Sequence, residues 1–371
     1  MSNAWSRPAQ GEEQPPPGER EDNEAIAAIS VEILRTNERP VRRGQHPKMH
    51  GCVLGEFAVE PELPAELRHG VFATPRAFPC WIRFSNGSQD DDARGDIHGM
   101  AIKLLGVEGE KILPAEGQER TQDFLLMDHP AFFARHARSN RALAETIRRS
   151  AGRPLLKSLL FPIRDERAKR SAYVAVRHFL LGLRFHEFAC LRAALSKKPA
   201  SPLGIDYWSA TPYRLGPRAV KYTARPRPND VPTPTDFTSR DRLRAAMVAH
   251  LDQAEARFDF FVQPQGDPKT MPIEDASVEW DPAAAPFHKV ATITIPSQEF
   301  DTPDRREFGE DLSYTPWHSL PAHRPLGGIN RARRETYEAV SRRRHELNAA
   351  PRQEPADPPP LPVPPRRIAA D

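Results

Sequence analysis

Forty of the 371 residues are proline, about twice the usual ~5% share. Proline fixes φ, donates no backbone hydrogen bond and breaks helix interiors and central strands. A long helical bundle or coiled coil is therefore excluded for most of the chain, and short elements joined by extended loops are expected. A core can still form, because 39% of the residues are hydrophobic and the length suits one large domain or two ordinary ones.

Charge and cysteine usage exclude further classes. The 53 Lys+Arg against 50 Asp+Glu leave a net charge of +3, without the basic excess of a nucleic-acid binder, so no nucleic-acid partner is expected. No apolar run reaches the roughly 18 residues of a membrane span, so no membrane partner is expected either. The N-terminus lacks the apolar stretch of a signal peptide. The sparse, odd set Cys52, Cys80 and Cys190 has no CxxC pair. That fits a reducing cytoplasm and argues against a cysteine zinc site.

Residues 1–22 are polar and rich in Pro and Glu, and read as a disordered segment. The sequence from 351 to 371 reads as a Pro-rich disordered tail in the polyproline-II conformation. Between them, 23–350 reads as one domain. Ile26, Ile29, Ile33 and Leu34 form a stripe that predicts a helix over Asn23–Leu34. Four strand-like runs follow, Cys52–Val59, Trp81–Ser85, Met100–Leu105 and Phe124–Met127, separated by Gly, Pro and Asp clusters. Helical texture then covers Asn140–Arg149 behind Ser139, and Asp165–Lys197 with an interruption at Gly182. Strand texture returns at Ala219–Ala224, Phe258–Gln263 and Val290–Ile295, and Asn330–Asn348 reads as a long charged helix. Segregated strands and helices predict an α+β fold built on an antiparallel sheet or barrel.

Familiar catalytic motifs (GxGxxG, the Walker loop, GxSxG, HExxH) do not occur. His46 and His50 are four apart, but Pro47 and Gly51 oppose the helix that a two-histidine metal site would need. Asp90-Asp91-Asp92 lacks EF-hand spacing and reads as a solvated loop. The last helix is more informative. Arg333, Tyr337 and Arg344 fall within about 40° of one another around it, at 100° per residue. Positive charge beside a phenol favours phenolate, which can ligate ferric heme. A half-buried Tyr on an Arg-rich surface helix accounts for the same spacing.

Beside the N-terminal strands, that helix takes on meaning, and the chain resembles the heme catalases, particularly the shorter catalase-like heme proteins. Arg333-Arg334-Glu335-Thr336-Tyr337 is similar to the RxxxY proximal motif, with Arg344 at the place of the second proximal arginine. Arg43-Gly44-Gln45-His46-Pro47-Lys48 is similar to the RxxHxK distal segment, and Trp81-Ile82-Arg83-Phe84-Ser85 to the family's RFS strand. Asp96-Ile97-His98-Gly99-Met100-Ala101-Ile102-Lys103 resembles DxRGFAVK, and Gln122-Asp123-Phe124 with Pro130-Ala131-Phe132-Phe133 resembles the distal-wall strand and PxFF. The matches keep the family's order over about residues 40–348. The chain departs from the pattern at Asp128, where the family has a distal asparagine, and at His98, where it has arginine.

The resemblance implies an eight-stranded antiparallel β-barrel enclosing heme b, with peripheral α-helices. Tyr337 would ligate the iron as tyrosinate, with Arg333 partly neutralising it. Arg43, Arg83 and Arg344 would pair with the propionates. His46, oriented by Ser85, would move the peroxide proton, with His50 its rival for that role, and Asp128 would stand in the distal wall. The implied substrate is hydrogen peroxide or an organic hydroperoxide. Decomposition of hydrogen peroxide or peroxidase chemistry, hydroperoxide rearrangement, and heme binding without turnover stay open, as does assembly into a homo-oligomer.

Overall fold

The computed structural model describes residues 9–149, 184–228 and 238–355. The helical pattern expected over 165–183 and the proline run at 358–365 lie outside the described residues. Nine strands are described: β1 Met49–Val59, β2 Ala77–Asn86, β3 His98–Leu105, β4 Thr121–Met127, β5 Tyr207–Trp208, β6 Tyr213–Leu215, β7 Arg218–Pro226, β8 Ala256–Pro264 and β9 His288–Ile295. They lie in the order β5-β4-β3-β2-β1-β9-β8-β7, and β5 pairs back onto β7. Eight strands thus close an antiparallel barrel, and β6 adds to β7 as a hairpin outside the ring. Closure removes the unpaired edges that invite aggregation.

Strand alternation separates two faces. Phe57, Phe84, Phe124, Tyr222, Phe258 and Phe260 point inward and fill the lumen with buried aromatic rings. Phe124 meets Tyr222 edge-on at 5.0 Å, and Phe57 meets Phe260 edge-on at 5.1 Å. The other face of β2 and β3 carries Trp81, Arg83, Ser85, Gly99, Ala101 and Lys103, with Ser85 opposite Gly99 and Arg83 opposite Ala101. The outer wall, not the packed lumen, therefore presents the candidate residues.

Six helices are described: α1 Glu19–Glu32, α2 Ala137–Arg149, α3 Phe185–Leu195, α4 Arg242–Leu251, α5 Pro303–Asp311 and α6 Gly328–Asn348. In α5, Pro303 takes the first turn and the Thr302 hydroxyl accepts from Arg305 N–H. A Cβ at Gly309 would stand 2.6 Å from the Cβ of Cys52, so glycine lets α5 lie directly on β1. Helix α6 ends on Ala349 in the left-handed region, which closes its last carbonyls.

Two boundaries differ from the sequence expectation. Helix α1 starts at Glu19, not Asn23, and Ala9–Gly18 ahead of it are held rather than disordered. The Glu13 carboxylate accepts from Arg324, from Arg331 and from Gly327 N–H, and Gln265 accepts from Gly11 N–H at 2.9 Å. Likewise, 351–355 continues in place past α6, because Glu354 reaches the buried Lys103 at 2.6 Å. Polar composition suggests solvation, but here the charges have partners more than 200 residues away.

Candidate functional site

Four elements bring the candidate side chains to one stretch of outer wall: the loop before β1, strands β2 and β3, and helix α6. His46 lies in that loop with φ +56°, an uncommon conformation for a residue with a side chain. Its N–H donates to Gly87 O at 2.9 Å. Its ring lies against β3 so closely that a Cβ at Gly99 would stand 2.6 Å from Nδ1 and Cε1. Glycine is therefore required opposite Ser85, and Ser85 Oγ shares a hydrogen bond with His46 Nδ1 at 3.1 Å. Burial, reinforced by the charge of Arg83, pushes the His46 pKa down to about 3. The imidazole is neutral near pH 7, as a proton acceptor must be.

His50, the rival, is built differently. It sits inside β1, fully buried, and its Nε2 donates to Asn86 Oδ1 at 2.9 Å. It belongs with Asn86 and Asp92 to the packing of the 86–92 loop. The structure brings His46, and not His50, to Ser85.

The second half of the site is on α6. Arg333 Nη2 donates to Tyr337 Oη at 3.1 Å, and the guanidinium also lies over the Tyr337 ring at 5.1 Å. Burial alone would lower the Arg333 pKa, but Tyr337 and Tyr213 outweigh it and raise it. Arg344, two turns further on, donates Nη1 to Glu310 O at 2.6 Å.

Arg344 reaches the place where Arg43 and Arg83 also converge. Arg43 pairs with Glu310 Oε2 at 2.9 Å and Arg83 with Glu310 Oε1 at 3.3 Å. Three guanidinium groups thus gather at Glu310, two on its carboxylate and one on its backbone carbonyl. Burial and the repulsion of Arg83 push the Arg43 pKa down to about 9. Burial would raise the Glu310 pKa, but Arg83 and Arg43 hold it below the ordinary carboxylate value. Arg83 Nε is buried without a partner. Sequence reasoning missed Glu310, although Thr302-Pro303 carries a legible helix-start signal for α5.

Asp128 and His98, the two departures from the catalase pattern, are joined to each other. His98 Nδ1 donates to Asp128 Oδ2 at 2.7 Å, and Asp128 N–H donates to His98 O at 2.9 Å. Both side chains are buried, and Asp128 Oδ1 has no partner. Asp128 also favours the charged form of His46.

The closed eight-stranded barrel with six surrounding helices is a catalase-like fold. A solved fungal catalase matches 93% of this chain and 66% of its own, at a TM-score of 0.63 and 15% identity. A solved bacterial catalase matches 95% of this chain and 67% of its own, at a TM-score of 0.58 and 14% identity. The chain therefore spans about two thirds of the length of these catalases. No protein-family model and no curated protein sequence matches it. No helix among the described residues is long and apolar enough to cross a membrane.

Proposed function

We infer that the chain binds heme b and uses it to consume hydrogen peroxide, by decomposition or by peroxidase oxidation of a second substrate. The observation that carries this reading is the convergence of Arg43, Arg83 and Arg344 on Glu310, the first two on its carboxylate and the third on its backbone carbonyl. Three buried or half-buried cations around one anion form an electropositive patch that calls for further carboxylates. The two propionates of heme b are that complement. The remaining donors fit the same group. Tyr337 offers a phenol already held by an arginine, and Gly99 and Ala101 leave the wall beside Arg83 and Ser85 without bulk.

In this reading Tyr337 holds the iron and Arg333 offsets the phenolate charge, while Arg43, Arg83 and Arg344 grip the propionates. When bound, heme b supplies a redox-active iron at which the O–O bond of a peroxide is cleaved. The proton work belongs to His46. Ser85 occupies Nδ1, which leaves Nε2 to take the proton from one peroxide oxygen and return it to the oxygen that leaves as water. Its strongly lowered pKa keeps it a weak base that releases the proton readily. The buried Asp128 carboxylate opposes a second anion nearby.

The test is peroxide consumption by the heme-loaded protein, followed as oxygen evolution. A positioned acid–base contributes roughly 10²–10⁴-fold, so His46→Ala lowers the rate by at least about the lower figure, while His50→Ala does not. The reverse ranking, or no oxygen evolution and no peroxidase turnover from wild-type protein carrying heme, overturns the reading.

A further inference from the structure

The arginines assigned above to the propionates are already engaged, and by one element, the last turn of α5. Arg43 gives Nη1 to Glu310 Oε2 at 2.9 Å, and Nη2 to Gly309 O at 3.2 Å and to Leu312 O. Three of the five N–H groups of a guanidinium are thereby occupied. Arg83 Nη2 donates to Glu310 Oε1 at 3.3 Å. Arg344 gives Nη1 to Glu310 O at 2.6 Å, and its Nη2 lies 3.0 Å from His345 Nε2. Cations at a helix C-terminus favour the helix dipole and satisfy its last carbonyls, so this end of α5 holds arginines in its own right. It offers them what a carboxylate ligand would offer.

The last turn of α5 is able to let go while the rest of the helix stays. The Glu310 side chain is 21% exposed and borders on water, whereas that of Arg83 is 3% exposed. Ahead of it, Phe308 packs on Trp81 at 4.7 Å, and Arg305 lies over the same ring at 4.6 Å. Those contacts hold the body of α5 on β2 without any help from Glu310. A second carboxylate arriving at Arg43 and Arg83 meets Glu310 on both of them, and two carboxylates at one site repel.

We propose that Glu310 is an internal counter-ion that occupies the propionate site of the heme-free chain and gives way on loading, so that the end of α5 gates entry of the cofactor. The inference rests on the heme reading and deepens it by naming what regulates that site. The exchange is of one carboxylate for another on the same guanidinium groups, and no covalent bond changes. Glu310 moves into water, and Arg43 and Arg83 turn their N–H groups to the incoming carboxylates. The apparent affinity for heme is then below the intrinsic one by the fraction of chains in which the end of α5 is open.

The experiment titrates heme b, and separately its dimethyl ester, into the heme-free full chain as wild type and as Glu310→Ala, read by absorption. Loss of the internal competitor is expected to tighten heme b by about tenfold or more, the value of a hydrogen bond to a charged group. The ester brings no carboxylate to the arginines and is expected to bind both proteins alike. A reading on the wild type is independent of how the variant folds. On heme loading, hydrogen exchange speeds up at the amides of 309–312, which lose their arginine clamps, and not at those of 304–308. Equal or weaker binding of heme b by Glu310→Ala, the same gain with the ester, or slower exchange at 309–312 overturns the proposal, because Glu310 would then belong to the loaded site. A chain that takes up no heme overturns the function proposed above, and acetate then decides the role of Glu310 alone. Acetate is expected to raise the urea midpoint of heme-free Glu310→Ala, whose arginines lack a carboxylate, and not that of the wild type. No such rise overturns the proposal.

Discussion

Two groups of buried charge lie on the outer wall of the barrel, and they differ in how their charges are matched. In the first, Lys103 on β3 is fully buried between Asp123 at 2.7 Å and Glu354 at 2.6 Å. Glu116 accepts from His318 and from Arg352, and Asp123 also accepts from Thr315 N–H. Every cation there has a carboxylate and every carboxylate a donor. In the second, Arg43 and Arg83 share the one carboxylate of Glu310 while Arg344 reaches only its backbone carbonyl, Arg83 Nε is orphaned, and the Arg43 pKa is pushed down to about 9. A matched cluster serves the fold, here by pinning 351–355 to the barrel. An unmatched one costs stability, and its counter-charge is expected to come from a ligand.

The largest expected effect falls on the matched cluster. Lys103→Ala leaves Asp123 and Glu354 buried together without their cation, a loss of about 3–5 kcal/mol. Urea unfolding of the heme-free chain measures it, and a loss below about 1 kcal/mol, the level of a surface pair, would erase the contrast. The unmatched cluster contributes far less to the heme-free fold. Arg83→Met changes heme-free stability by less than about 1 kcal/mol, because relief of repulsion offsets the lost contact. It weakens heme binding by roughly 10–100-fold, the value of a charged hydrogen bond. Heme titration of that variant separates a ligand-binding arginine from a structural one.

Two smaller effects sharpen the comparison on the distal side. The unfolded chain takes a proton on His46 near 6.5, whereas the folded chain refuses it until about 3. His46 therefore weakens the fold increasingly as pH falls from 6.5 towards 3, and leaves it unaffected above 6.5. His46→Gln flattens the fall in urea midpoint between those limits, and an unchanged slope would mean that His46 titrates normally. Asp128→Asn removes a buried negative charge beside His46. It tightens azide binding to the heme-loaded protein by about three- to tenfold and raises oxygen evolution. No change in either would separate Asp128 from the peroxide side of the site.

The sequence was legible where local pattern decides structure. Apolar runs between turn residues placed β1–β4 and β7–β9 within a few residues, because each strand alternates between a packed lumen and a covered wall. The two-residue β5, which closes the barrel, and the three-residue β6 are too short to carry a period. The candidate site was legible as separate motifs, and the His46–Ser85 and Arg333–Tyr337 contacts join residues those motifs had named. What no local pattern carries is pairing at a distance. Glu310 meets Arg43 across 267 positions, Glu354 meets Lys103 across 251, and His98 meets Asp128 across 30. Residues 9–22 illustrate the same limit, since Glu13 and Glu19 meet Arg331 of α6 and Asp22 meets Arg141 of α2.

The central claim is that Tyr337 is an iron ligand, and heme titration of the full-length wild-type and Tyr337→Phe proteins, read by absorption and electron paramagnetic resonance, tests it most directly. The wild type is expected to take up one heme and to give the signature of tyrosinate-bound ferric iron, and the Phe variant to purify heme-poor or to lose that signature. Equal heme content with the same spectrum in both proteins would contradict the assignment.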